Sequence, residues 1–187
     1  LSEKDPTKLP WKKLDVDVAL ESTGIFTTYE ESQMHLKAGA KRVVVSAPVK
    51  DAPPEGITGA TVLMGLNHEE LKTCDISSNA SCTTNAGSPL IAILDEGVGV
   101  EKAILNTVHG YTSTQSLIDG PNKKMRRGRA AAINIIPSST GAAIATTKAY
   151  PSLEGKFDGV AMRVPVPAVS IVDVTFLSKK ETTVEEI

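Results

Sequence analysis

The chain has 187 residues, of which 41% are hydrophobic and 22% charged, a composition typical of globular proteins. Its formal net charge of -2 argues against a nucleic-acid-binding protein, which normally carries a strong basic excess. No apolar run approaches the roughly 20 residues of a membrane helix, and the opening LSEKDPTKLP lacks the apolar core of a signal peptide, so we expect neither a nucleic-acid nor a membrane partner.

The first elements in chain order have the pattern of a strand, a helix and a second strand. Residues 16–21 predict a short strand, and residues 29–38 predict a helix that begins after Thr28 and ends before Gly39. Residues 42–46 form a β-branched apolar run, which is typical of a buried strand. Strands joined in this way favour a parallel sheet.

The predicted helix is expected to bury an apolar face. Met34 and Leu36 to Ala38 supply that face.

The next segment alternates loop and regular structure. Residues 48–60 are rich in Pro and Gly and predict a loop, and residues 61–66 predict a strand. Residues 75–79 lead into a helix predicted over about 81–96, in which Pro89 either bends the helix or marks its true first turn.

The second half of the chain has a different character. Residues 100–109 predict a strand, residues 110–132 a polar and basic loop, and residues 139–150 a small-residue helix. Residues 159–178 predict two strands separated by two prolines, and a last helix is expected to begin at Thr182 or Thr183. The chain therefore belongs to the α/β class, with a parallel sheet before about residue 80 and a mixed sheet after it.

Cys82 is the first candidate for a chemical role. It stands at the predicted start of a helix, where unpaired backbone N–H groups and the helix dipole stabilise a thiolate. The neighbouring Ser81, Thr83, Thr84 and Asn85 could bind an oxyanion or a phosphate. The alternative is a capping cluster around a buried structural cysteine, and the residues alone leave both open.

The other cysteine, Cys74, is expected to be a partly buried structural thiol. Two cysteines in a chain of this size do not make a disulfide framework, although a bridge between them is conceivable. A reducing, cytoplasmic setting fits best. No Cys and His spacing suggests a metal site.

His109 is the second candidate. It ends a predicted strand, precedes Gly110, and has a side chain suited to proton transfer near neutral pH. Cysteine and histidine form the minimal activated-thiol pair, but their proximity cannot be read from sequence.

Several segments resemble, in the same order, segments of the phosphorylating glyceraldehyde-3-phosphate dehydrogenase family. The segment SNASCTTN at 78–85 resembles the active-site signature of that family. The resemblance extends from about residue 3 to the end of the chain, through ESTGIFTT (21–28), AKRVVVSAP (40–48), HGYTSTQ (109–115), RRGRAAAINIIPSSTGAA (126–143) and MRVPVPAVSIVD (162–173).

The resemblance implies roles for the two candidates. Cys82 attacks the substrate aldehyde to form a thiohemiacetal, and His109 accepts the hydroxyl proton as a hydride leaves for NAD or NADP. Inorganic phosphate then cleaves the resulting thioester. The implied anion-binding residues are Ser81, Thr83, Thr140 and Gly141 for the attacking phosphate, and Thr112 and Arg163, assisted by Arg127, for the substrate phosphate.

The resemblance also implies a domain organisation. Residues 1–81 correspond to part of a dinucleotide-binding domain, in which Ser22, Thr23 and Ser46 line the cofactor site, and residues 82–187 to part of a catalytic domain. The GxGxxG-type turn and the acidic residue that binds the adenosine ribose are absent, so we expect this chain alone to bind dinucleotide poorly. A cytoplasmic homotetramer is implied for a full-length parent.

Three alternatives remain open. Erythrose-4-phosphate dehydrogenase uses the same thiol chemistry. A thiol hydrolase would use Cys82 and His109 without nicotinamide. A non-catalytic fragment could instead present the basic segment 123–129 as a contact surface.

Overall fold

The computed structural model describes all 187 residues, which divide into two compact units, Leu1–Ser81 and Cys82–Ile187. Each unit is built around its own four-stranded sheet. The α/β class expected from the sequence is confirmed, with a parallel sheet in the first unit and a mixed sheet in the second.

The sheet of the first unit is entirely parallel. Its strands are β1 (Val18–Glu21), β2 (Arg42–Val45), β3 (Gly59–Thr61) and β4 (Ile76–Ser78), arranged in the order β1-β2-β4-β3. Helix α1 (Tyr29–Lys37) connects β1 to β2, as the strand–helix–strand pattern predicts. The central strands β2 and β4 supply the buried residues Val43, Val45 and Ile76.

Both ends of α1 follow the sequence prediction. The Thr28 side chain accepts a hydrogen bond from the Glu31 backbone N–H at 3.0 Å, which pairs one of the free donors of the first turn. Gly39 follows the helix with a φ of 105°, a conformation that side-chain-bearing residues rarely adopt.

The predicted apolar face of α1 is confirmed in part. Ala38 is buried and Leu36 packs against the core of the first unit, but Met34 is only half-buried. Within the helix the buried residues are Tyr29, Ser32 and His35. Polar side chains can occupy this face because each finds a partner: the Ser32 hydroxyl donates to the Phe26 carbonyl at 3.1 Å, and His35 joins a buried network described below.

The middle of the first unit differs from the sequence prediction in two places. The strand predicted at 61–66 is a three-residue strand that ends at Thr61, and residues 75–79 contain the central strand β4. A 3-10 helix, His68–Lys72, lies between them. Strand β4 was missed because two of its three residues are serines, so it has no apolar run.

The sheet of the second unit is mixed. Its strands are β5 (Val100–Gly110), β6 (Ile136–Ser139), β7 (Phe157–Val164) and β8 (Ser170–Ser178), arranged in the order β6-β7-β5-β8. Strands β5 and β7 are parallel, while β8 and β6 run antiparallel to their neighbours. This arrangement aligns the ends of β5 and β7, so that His109 pairs with Arg163.

Two helices pack on this sheet. Helix α2 (Cys82–Gly97) contacts β5 and β8, and α3 (Ala142–Ala149) contacts β7 and α2. Gly87 allows the close approach of α2, because a Cβ there would lie 2.6 Å from Leu105 Cδ1. The core beneath the helices consists of Ile91, Val100, Leu105, Ala143, Leu153 and Phe157.

Three details of the second unit correct the sequence prediction. Pro89 lies inside α2, so it does not mark the first turn of that helix. The helix predicted at 139–150 begins at Ala142, and strand β6, which was not predicted, ends at Ser139. The final helix is not formed; Thr183 accepts from the Glu186 backbone N–H at 3.3 Å in a single turn. None of the helices has both the length and the apolar character needed to cross a bilayer.

Candidate active site

Cys82 is the first residue of α2, and its thiol is free and exposed. The preceding turn contains Ala80 with a φ of 53°, an uncommon conformation for a residue with a side chain. At this position the thiol lies at the positive end of the dipole of a 16-residue helix, which favours an anion. The structure therefore gives Cys82 the surroundings of a reactive thiol and not of a buried one.

His109 lies next to this thiol. Its Nε2 atom is 3.4 Å from Cys82 Sγ, so the ring and the sulfur can share a proton. Strand β5 brings the imidazole there from a position 27 residues along the chain. The sequence alone did not show whether Cys82 and His109 lie close together. In the structure they are in contact, which is the arrangement in which a histidine activates a thiol.

The backbone of Gly110 fixes the other side of the imidazole. Its carbonyl oxygen lies 2.7 Å from His109 Nδ1, and its N–H donates to the Val169 carbonyl at 3.1 Å. A Cβ on Gly110 would lie 2.7 Å from the Val166 carbonyl oxygen, so only glycine fits here. Val169 has a φ of 73°, a strained conformation for a β-branched residue, in the loop that holds Gly110.

Arg163 completes the contacts of the imidazole. Its Nη1 atom lies 2.8 Å from His109 Nδ1 and donates to the Gly110 carbonyl at 3.0 Å. Its Nε–H is buried without a partner. Burial lowers the pKa of the Arg163 guanidinium and the positive charge of Arg127 lowers it further, whereas Cys82 acts in the opposite direction.

Arg127 binds the turn that follows β5. Its Nη1 donates to the Thr114 hydroxyl at 2.7 Å, and its Nε donates to the Ser138 hydroxyl at 3.2 Å. The Thr114 hydroxyl is also 2.9 Å from that of Thr112. Thr112, Arg127 and Arg163 therefore belong to one region, with two cations close enough to repel each other and so to favour an anion.

Two of these partners were missed from the sequence. Thr114 and Ser138 orient Arg127, but hydroxyl residues in polar segments have many possible roles. The HGYTSTQ segment did include Thr114, although nothing in its spacing singled that residue out.

The residues expected around the attacking phosphate lie near two helix starts. Thr83 is buried in the first turn of α2, directly after Cys82, and Ser81 directly precedes the helix. Gly141 is the N-cap of α3, and the Thr140 hydroxyl accepts from the Ala142 N–H at 3.1 Å. The positive end of the helix dipole at such a start suits an oxyanion.

The residues expected to line a cofactor site lie in the first unit. Ser22 and Thr23 follow β1 and Ser46 follows β2, and all three are exposed. The Ser46 N–H donates to the Glu21 carbonyl at 2.9 Å, which places both turns at the carboxyl edge of the parallel sheet. Ligands of open α/β sheets bind at this edge, so the position fits a dinucleotide.

A buried polar network underlies this edge. The Glu21 carboxylate accepts from the Thr23 N–H at 2.7 Å and from the Thr23 hydroxyl, and it lies 3.0 Å from His35 Nε2. Trp11 Nε1 donates to His35 Nδ1 at 3.1 Å. Burial is the largest influence on the Glu21 pKa and raises it, but the hydrogen bonds from Thr23 and His35 outweigh burial and lower the pKa. Thr23 is therefore held in the turn by its own side chain.

Cys74 contrasts with Cys82. It is free and 6% exposed, so the expected structural thiol is confirmed and no bridge joins the two cysteines. Burial raises the pKa of the Cys74 thiol, an effect that the nearby Arg42 partly opposes.

Comparison with known proteins gives a consistent result for the second unit and for the whole chain. Residues 81–187 match the family model described as the C-terminal domain of glyceraldehyde 3-phosphate dehydrogenase. A glyceraldehyde-3-phosphate dehydrogenase from Haloarcula vallismortis is 55% identical over 171 residues, which is 91% of this chain and 50% of that protein.

Relatives from other lineages cover the whole chain. A glyceraldehyde-3-phosphate dehydrogenase from Streptomyces coelicolor is 47% identical over 100% of this chain and 54% of its own length. Glyceraldehyde-3-phosphate dehydrogenase B from Aspergillus oryzae is 49% identical with the same coverage of both chains. The chain thus spans about half the length of the relatives that it matches.

Proposed function

Because the chain belongs to the glyceraldehyde-3-phosphate dehydrogenase family, we propose that it carries the thiol chemistry of that activity. The reaction is the NAD- or NADP-dependent oxidation of glyceraldehyde 3-phosphate, with inorganic phosphate, to 1,3-bisphosphoglycerate. The observation that carries this proposal is the 3.4 Å contact between Cys82 Sγ and His109 Nε2 at a helix start.

The first step is addition of the Cys82 thiolate to the aldehyde carbon. A C–S bond forms, the carbonyl π-bond breaks, and the oxygen takes up a proton to give a thiohemiacetal. The exposure of the thiol and its place at the start of α2 support this role, because the positive end of the helix dipole stabilises negative charge.

His109 acts in the second step. Its Nε2 atom accepts the proton of the thiohemiacetal hydroxyl as a hydride leaves the same carbon, and the C–S group becomes a thioester. A nicotinamide, when bound, supplies the hydride acceptor. The ring is held for this role by the Gly110 carbonyl, 2.7 Å from Nδ1.

Inorganic phosphate completes the cycle. A phosphate oxygen attacks the thioester carbon, the C–S bond breaks, and the acyl phosphate leaves while Cys82 returns to the thiolate. We assign the attacking phosphate to Ser81, Thr83, Thr140 and Gly141, a choice supported by their positions at the starts of α2 and α3.

The substrate phosphate is assigned to a different group. Thr112, Arg127 and Arg163 form the cationic region beside His109, and guanidinium groups bind phosphate oxygens in pairs. The buried Nε–H of Arg163, which has no partner, supports an anionic ligand at this point. Ser22, Thr23 and Ser46 would contribute to the cofactor site, and the full-length parent would be a cytoplasmic homotetramer.

A protection experiment on this chain tests the proposal. D-Glyceraldehyde 3-phosphate should slow alkylation of Cys82 by iodoacetamide, measured by peptide mass spectrometry, because the thiohemiacetal blocks the sulfur. Unphosphorylated glyceraldehyde should protect less at equal concentration, since it lacks the anion that Arg163 and Thr112 bind. Cys74 in the same sample is the internal control and should react at the same slow rate throughout.

The same assay and a hydrolysis assay separate the alternatives. Stronger protection by D-erythrose 4-phosphate would favour the related dehydrogenase. Hydrolysis of a thioester or amide substrate without nicotinamide would favour a thiol hydrolase. Absence of protection by any aldehyde would contradict the proposed function.

A further inference from the structure

His109 Nδ1 has two neighbours that require opposite hydrogen-bonding roles of it, donor toward one and acceptor toward the other. The Gly110 carbonyl oxygen, 2.7 Å away, can only accept a hydrogen bond, whereas Arg163 Nη1, 2.8 Å away, can only donate one. A ring nitrogen of neutral histidine carries either a proton or a lone pair, so Nδ1 can satisfy one neighbour at a time. The position of Arg163 therefore decides which tautomer His109 adopts.

With Arg163 in its observed position, the lone pair on Nδ1 is favoured. Because Nδ1 and the Gly110 carbonyl oxygen lie only 2.7 Å apart, a single N–H of Nη1 is directed between them and donates to both, at 2.8 and 3.0 Å. The positive charge of the guanidinium offsets the repulsion between these two acceptors. If Nδ1 were protonated, the N–H groups of His109 and Arg163 would face each other at 2.8 Å in a partly buried site. Two donors cannot hydrogen-bond to each other, so this arrangement loses one hydrogen bond.

This choice determines what His109 can do to the sulfur. With its lone pair on Nδ1, the ring carries its proton on Nε2 and can only donate toward Cys82 Sγ, 3.4 Å away. That arrangement stabilises a thiolate but cannot take a proton from a thiohemiacetal. The second step needs the other tautomer, with Nδ1–H donating to the Gly110 carbonyl and Nε2 free to accept.

We propose that Arg163 is a switch that couples anion binding to the His109 tautomer. Without an anion, Arg163 holds His109 as the Nε2–H donor, which preserves the thiolate for attack. When a phosphate group draws the guanidinium away from Nδ1, the proton moves to Nδ1 and His109 becomes a base at Nε2. The buried and unpaired Nε–H and the repulsion from Arg127 both favour this movement toward an anion.

The inference rests on the proposed function for the identity of the anion, but its test does not depend on turnover. The chain has three histidines, so two-bond ¹H–¹⁵N correlation spectra of labelled protein resolve each ring, and His109→Asn assigns the signal. His35 is an internal standard, because Trp11 donates to its Nδ1 and thereby fixes the Nε2–H tautomer. Spectra are recorded at a pH of about 8, above the ordinary titration range of imidazole.

We expect His109 to match the Nε2–H pattern of His35 in the wild-type chain and to lose that pattern in Arg163→Met, whose side chain has no donor. Arg126→Met, which removes an exposed arginine from the same basic segment as Arg127, should leave the tautomer unchanged. An Nδ1–H pattern in the unliganded wild type, or the same tautomer in wild type and Arg163→Met, would overturn the proposal.

The anion arm uses glycerol 3-phosphate, a phosphate ester without an aldehyde, and compares it with glycerol and chloride at equal ionic strength. The ester should convert wild-type His109 to the Nδ1–H pattern and should have no effect on Arg163→Met. Retention of the Nε2–H pattern at saturating ester would also overturn the switch. The proposed function fails on a different result, lack of Cys82 protection by the aldehyde, so the two failures are distinguishable.

Discussion

Substitution of the buried carboxylate of Glu21 tests how much its hydrogen-bond network at the edge of the parallel sheet stabilises the fold. Its side chain is 2% exposed, and each of its partners in the network is a donor: the Thr23 N–H, the Thr23 hydroxyl and His35 Nε2. His35 must donate through Nε2 because its Nδ1 accepts from Trp11. In Glu21→Gln, the amide offers one acceptor oxygen and one donor nitrogen, so either the buried His35 Nε2–H or the donors of Thr23 lose their partner.

The expected cost at neutral pH is about 2–3 kcal/mol of unfolding free energy, since a hydrogen bond to a charged group contributes about 1.5–3 kcal/mol and an unpaired buried donor costs about 1–3. The pKa of Glu21 is lower in the folded state, so its stabilisation is present above the unfolded pKa and is lost as pH falls through the folded value. The difference in unfolding free energy between wild type and Glu21→Gln should therefore become smaller once the pH drops below about 4.

Urea denaturation followed by tryptophan fluorescence measures this effect, because Trp11 is the one tryptophan of the chain and belongs to the network. Glu55→Gln is the matched control: this residue is exposed, and its substitution should change the unfolding free energy by less than about 0.5 kcal/mol. A cost for Glu21→Gln no larger than the control, or one that is constant from neutral to acid pH, would refute the reasoning.

Three further predictions concern the second unit. Leu105→Ala should lower the unfolding free energy by about 2–5 kcal/mol in chemical denaturation, because Leu105 is fully buried in the core; a loss below about 1 kcal/mol would contradict that packing. Ser88→Ala should lower the unfolding free energy by only about 1 kcal/mol, since Thr146 keeps its bond to the Ala142 carbonyl when the 2.8 Å contact with Ser88 is lost. A loss near that of Leu105→Ala would contradict the assignment of a single ordinary hydrogen bond to this hydroxyl pair. Arg127→Met should weaken the protection of Cys82 by glyceraldehyde 3-phosphate while leaving protection by unphosphorylated glyceraldehyde unchanged, and an equal effect on both aldehydes would rule out phosphate binding.

The local features of the fold were predictable where a residue type has one strong structural preference. Thr28 as an N-cap and Gly39 beyond the helix end are found as expected, because a hydroxyl residue directly before a helix pattern and a glycine directly after it are strongly preferred at those positions. The apolar run at 42–46 gave a buried strand for the same reason.

The missed strands show where sequence patterns fail. Strand β6 contains Pro137, which argues against a strand, but β6 is at the sheet edge, where a missing backbone donor is tolerated. Strand β4 is buried by its central position and not by its own composition, since Ser77 and Ser78 are buried serines. Both outcomes depend on strand order, which a single sequence does not reveal.

The same distinction applies to the candidate site, where local sequence predicts some features and the packing of distant segments determines the others. Cys82 at a helix start followed from local sequence, whereas its contact with His109 depends on how α2 packs on β5. The contact between Arg163 and His109 Nδ1 depends on the parallel register of β5 and β7, and no feature of either segment indicates it. The roles of the anion-binding and cofactor residues remain predictions.

The most direct test of the central claim is the rate at which each cysteine reacts with iodoacetamide at neutral pH, in the wild type and in His109→Asn. We expect Cys82 to react faster than Cys74, whose pKa is raised by burial. In His109→Asn, the Cys82 rate should fall about tenfold or more, because a hydrogen bond to a charged group contributes about 1.5–3 kcal/mol, while the Cys74 rate should not change. Faster reaction of Cys74, or a Cys82 rate that does not respond to the loss of the imidazole, would contradict the account.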